Sequence, residues 1–122
     1  MQDAVNKIAI LTNNPDVAAK YPKIACFLDV DVGGIFQAVR DAVHKGAWLV
    51  SHPLSGSIKP GESPYKSVAI SANIGGLSHK SLQIIEDAIA VYKRLPSHNH
   101  RCYHESILAD FRIIDLDIIS QI

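Results

Sequence analysis

The run Ile8-Ala9-Ile10-Leu11 constrains this chain more than any other, because four apolar residues follow one another without polar alternation and Asn13-Asn14-Pro15 stops them. A strand with one wet face alternates polar and apolar side chains, so an unbroken run marks a strand covered on both faces. Lys7 to Thr12 is thus expected as the central strand of a sheet with helices above and below. Asp16 to Tyr21 fits a short helix ended by Pro22, and Ile24 to Val30 a second strand with Ile24, Cys26 and Leu28 on one face. Asp31, Gly33 and Gly34 open a helix striped by Ile35, Ala38, Val39, Ala42 and Val43, which Gly46 stops. Trp48 to Ser51 reads as a third strand and Val68 to Ser71 as a fourth. Ser78 then caps a helix carrying Leu82, Ile85, Ile89 and Tyr92 and ending near Pro96.

The tail has two readings. Ile107, Phe111, Ile114 and Ile118 recur at helical spacing, whereas Ile114, Leu116 and Ile118 alternate with Asp115 and Asp117 as in a strand. We favour the C-terminal helix. Strands alternating with helices give the expected fold: one α/β domain over residues 1–122, a three-layer sandwich around a mainly parallel, four-stranded sheet of flavodoxin or Rossmann-like type. In a 2-1-3 strand order, a crevice would open at the carboxyl ends of strands one and three, lined by Thr12, Asn13 and Asn14 and by Ser51 and His52.

Composition excludes several classes. With 122 residues, 48% of them apolar, the chain can build one core. Its formal charge is zero and its basic residues are scattered among acidic ones, which argues against nucleic acid or a membrane surface as partner. The start lacks signal-peptide features and no apolar run approaches a membrane span, so a cytoplasmic location is expected. Cys26 and Cys102 are too sparse for a disulfide framework and too far apart for a redox Cys-x-x-Cys.

The long segment from Val50 to Ser67 holds the main candidate site. Loops of this length in compact domains tend to be functional or disordered, and Pro53, Pro60 and Pro64 argue for order. Ser55, Gly56, Ser57 and Lys59 offer hydroxyls, a flexible backbone and a cation suited to a small anion or polar metabolite; the competing reading is a surface turn. Gly56 and Gly61 have the glycine spacing of a P-loop, but Glu62-Ser63 stands where Lys and Ser or Thr belong. His52 beside Ser55 and Ser57 invites an enzyme reading, with imidazole as acid or base, yet no Gly-x-Ser-x-Gly elbow accompanies it. Asn13-Asn14-Pro15 also reads simply as a turn and helix cap. His98, His100, Cys102 and His104 alternate as metal ligands would, but four ligands from one extended segment close a tetrahedron poorly, so a polar linker is preferred. Gly33-Gly34 is not a dinucleotide fingerprint, and Asp29 and Asp31 suit a strand end and cap better than magnesium. No motif calls for a cofactor.

Leu11-Thr12-Asn13-Asn14-Pro15, Lys20-Tyr21-Pro22, Val43-His44-Lys45-Gly46, the segment from His52 to Pro60, and Pro64-Tyr65-Lys66-Ser67 together resemble the GrdX family, small proteins encoded beside glycine reductase in amino-acid-fermenting anaerobic bacteria. The resemblance covers Ile8 to Leu95, leaving out Asn73 to Leu77 and the chain after Pro96. It implies an accessory role in the reduction of glycine, sarcosine or betaine, with the reductase components as protein partners, and it lends no catalytic residues. The tail carries more apolar residues than one helix face needs, so a homodimer formed through it is also expected.

Overall fold

The computed structural model describes residues 7–55, 63–72, 75–95 and 103–122. Its elements are β1 (Ile8–Thr12), α1 (Pro15–Lys20), β2 (Ala25–Phe27), α2 (Val32–His44), β3 (Ser67–Ser71), α3 (His79–Arg94) and α4 (Glu105–Ile119). The sheet order is β2-β1-β3, with β2 parallel and β3 antiparallel to β1. This corrects the expected four-stranded, mainly parallel sheet: among the described residues the sheet is mixed and has three strands.

The correction has a local cause. Trp48 to Ser51 runs antiparallel to β3 but forms a single bridge, Leu49 to Ile70. The amides of Val50 and Ser51 both reach the carbonyl of Ala69, at 2.9 and 3.1 Å, so two residues oppose one and the ladder cannot propagate. The Trp48 amide donates to the Ser71 hydroxyl at 2.8 Å, and the Leu49 amide, which the bridge turns away from β3, donates to the Ser81 hydroxyl at 3.0 Å. The long segment then returns the chain as β3, inserted between β1 and Trp48–Ser51 and antiparallel to both. Strand two is also shorter than expected, and it is an edge: Ile24, Phe27 and Val30 are exposed.

Each sheet face has its own core. Leu11, Val68 and Ile70 pack with Val32, Ile35, Phe36, Val39, Val43 and Ile85 of α2 and α3. Ile10 and Ala69 pack on the other face with Val17 of α1 and Ile119 of α4. The alternation of Ile10 and Leu11 between these cores is why that run carries no polar residue. Phe36 and Tyr92 meet edge to face at 5.5 Å, and Arg40 pairs with Glu86 at 2.7 Å, tying α2 to α3.

The caps follow the sequence. Asn14 caps α1 through the Asp16 amide, with Pro15 in the first turn; Asp31 caps α2 through the Gly34 amide and Ser78 caps α3 through the Ser81 amide. Gly34 is needed for space, since a Cβ there would lie 2.6 Å from that of Val30. Gly46, at φ 107°, takes the left-handed turn after α2.

The tail is a helix. Its buried face differs from the one apolar spacing suggested: Ile107 and Ile114 are exposed, whereas Ile119 is buried and Leu116 packs beside it. Arg112 and Asp115 share that inward face, two turns and one turn before Ile119. His104, the last of the four alternating His and Cys residues in the expected polar linker, caps α4 by accepting from the Ser106 amide. His98, His100 and Cys102 lie outside the described residues.

Candidate functional site

Thr12 ends β1 directly opposite Ser67, which begins β3, and this pair founds a buried polar network. The Asn14 amide donates to Thr12 Oγ1 at 2.9 Å, and Ser67 Oγ donates to Asp115 Oδ2 at 2.7 Å. Thr12 and Ser67 lie 2.7 Å apart; because the Ser67 proton goes to the carboxylate, the Thr12 hydroxyl must donate to Ser67. The chain of hydroxyls therefore runs from β1 through β3 to α4. Asn14 closes it with its Nδ2, which donates to Asp115 Oδ2 and to the carbonyl of Arg112, both at 3.0 Å.

Asn13 turns the other way and clamps the returning loop. Its Nδ2 donates to the carbonyls of Val30 and Pro64, and its Oδ1 accepts from the Lys66 amide, all at 2.9 Å. Arg112 reaches Tyr65 Oη at 2.9 Å, pairs with Glu105 and lies 3.8 Å from Asp16. The bonds to Glu105 and Tyr65 hold its guanidinium more firmly charged than usual. Burial pushes the Lys66 ammonium below its ordinary value, and the nearby Asp115 carboxylate partly offsets this.

Above the network lies a cleft of about 410 Å³, between the His52–Ser55 turn and the end of α4. Its polar lining comes from Ser51, His52, Ser55, Ser67, Asp115 and Gln121, while Val50, Ile118, Ile119 and Ile122 supply apolar wall. The turn is built by a bond from the Ser55 amide to the His52 carbonyl at 3.0 Å, over a buried Pro53. Ser51 Oγ accepts from the Ala69 amide at 2.9 Å, which anchors the turn to β3.

The nine expected site residues divide three ways. Ser51, His52 and Ser55 line the cleft; Thr12, Asn13 and Asn14 lie in its foundation, occupied by internal bonds; Gly56, Ser57 and Lys59 lie outside the described residues. Sequence reasoning missed Ser67, Asp115 and Gln121. The overlooked signal was a charged pair, Arg112 and Asp115, on the face that also carries Ile119.

The geometry also bears on acid–base chemistry. His52 Nδ1 accepts from the Leu54 amide at 3.1 Å, so the neutral ring carries its proton on Nε2. His52 can then donate a hydrogen bond through Nε2. Among the described residues no helix is long and apolar enough to cross a membrane.

Comparison with curated proteins and with solved structures gives no match. A family model described as GrdX-like protein matches residues 9–122, including the tail that the residue-level resemblance had left out, and thus includes Asp115 and the end of α4. The chain belongs to the GrdX-like protein family.

Proposed function

We propose that this protein is an accessory binding module of the glycine, sarcosine and betaine reductase system, and that its cleft holds a small polar metabolite. Family membership supports the association, and the reductase components are the protein partners it implies. The observation that carries the binding role is the convergence of Ser51, His52 and Ser55 from the long segment with Ser67 and Asp115 around one cleft. A carboxylate fixed by two internal bonds and flanked by hydroxyls suits a ligand with an ammonium or hydroxyl donor. The described lining holds no Lys or Arg, so the anion expected from the sequence would depend on Lys59.

Calorimetric titration with glycine, sarcosine, acetate and inorganic phosphate tests this reading. Binding of glycine or sarcosine, lost in the Ser55→Ala/Asp115→Asn double variant, is the expected result. Equal heat from the variant, or binding of acetate and phosphate alone, would refute it.

A further inference from the structure

We infer that the cleft takes a zwitterionic amino acid whose nitrogen keeps at least one N–H, bonded to Asp115 Oδ1, and that it rejects the quaternary form. This rests on the cleft being the ligand site proposed above, and it adds the class of ligand and its orientation. Both internal bonds to Asp115 fall on Oδ2, from Asn14 Nδ2 at 3.0 Å and Ser67 Oγ at 2.7 Å. No bond among the described residues reaches Oδ1. A carboxylate can accept about four hydrogen bonds, so Asp115 lines the cleft fixed in orientation and with one oxygen uncommitted. With His52 neutral, its charge is the only formal one in the described lining.

The turn side has the complementary character. Ser51 Oγ accepts from the Ala69 amide, which leaves its own proton to donate, and Ser55 Oγ enters no bond among the described residues. The His52 ring carries its proton on Nε2. Donors on the turn side and an acceptor on α4 match a ligand with a carboxylate at one end and an ammonium at the other.

Helix spacing sets what surrounds the nitrogen. Ile118 and Ile119 follow Asp115 by three and four residues on α4, so they neighbour it on the helix surface, and both line the cleft. N-methyl groups on an ammonium held at Oδ1 would meet this apolar wall, which favours their leaving water. The last N–H has no such substitute. A quaternary nitrogen gives no proton to Oδ1, so the carboxylate would lose water with no bond in return. Quaternary ammonium groups are instead held by aromatic cages, and the described lining contains no Trp, Tyr or Phe.

Calorimetric titration with glycine, sarcosine, N,N-dimethylglycine and betaine tests this, because the series removes N–H groups one by one and keeps the carboxylate. The expected result is retained affinity through dimethylglycine and a fall of about tenfold or more at betaine. Asp115→Asn must keep its amide oxygen for Asn14 and Ser67, which turns its NH2 group toward the cleft, so the step between dimethylglycine and betaine should vanish in that variant. Betaine bound as tightly as dimethylglycine would overturn the inference and leave the ligand site standing. So would a loss already at sarcosine, or a step that persists undiminished in Asp115→Asn. No heat from any of the four would overturn the inference together with the proposed site.

Discussion

Replacing Asp115 by Ala should be among the most damaging single changes outside the apolar cores, and the structure supports a magnitude. Asp115 Oδ2 accepts from Asn14 Nδ2 and Ser67 Oγ, and both partners are buried. Removing the acceptor strands two buried donors, each at a cost of about 1–3 kcal/mol. Asn14 retains the Arg112 carbonyl, so its share falls at the low end, giving a total of roughly 3 kcal/mol. For a chain of this size that is a loss of about 10–15 °C in melting temperature. Asp115→Asn keeps an oxygen for both donors and loses the charge, so its cost should be about 1 kcal/mol. Urea denaturation followed by circular dichroism measures both, and a Ser67→Ala/Asp115→Ala cycle should show coupling of about 1 kcal/mol. Melting of Asp115→Ala within about 2 °C of wild type, less than the roughly 3–5 °C expected from even 1 kcal/mol, would refute the network as described.

Two further predictions concern the frame around the site. Gly34→Ala should lower stability by about 1–3 kcal/mol, because its Cβ would meet that of Val30 at 2.6 Å, and a denaturation midpoint measures the loss. Lys66, held below its ordinary value of 10.5 by burial, binds fewer protons folded than unfolded between the two pKa values. Wild-type stability should therefore rise with pH through that window relative to Lys66→Met, and parallel denaturation series up to pH 10.5 would detect it.

Much of this frame was legible in the chain because local rules act on it directly. Ile8 to Leu11 could serve only a strand covered on both faces, and Asn14, Asp31 and Ser78 cap helices by side-chain bonds that depend on immediate neighbours. The fourth strand was lost to a long-range effect. Trp48 to Ser51 has strand-like composition, but the Ser71 hydroxyl captures the Trp48 amide and Val50 and Ser51 share the Ala69 carbonyl, and no local pattern reports that. The direction of β3 was hidden for the same reason, since a long connection leaves parallel and antiparallel return equally open.

The site was half legible. The segment from Ser51 to Ser55 announced itself by polar residues and prolines between apolar runs, and it does line the cleft. Thr12 to Asn14 looked like ligand contacts because they end the central strand, but the structure commits their polar atoms to Ser67, Lys66 and α4. Asp115 was passed over because apolar spacing drew attention to Ile107 and Ile114, which face solvent.

The most direct test of the central claim, that the cleft between the His52–Ser55 turn and α4 is a ligand site, is an amide NMR titration of the whole chain with glycine and with sarcosine. The account predicts saturable shifts concentrated at Ser51 to Ser55, Ser67 and Ile118 to Ile122. Shifts elsewhere with these residues unmoved, or none with either probe, would contradict it.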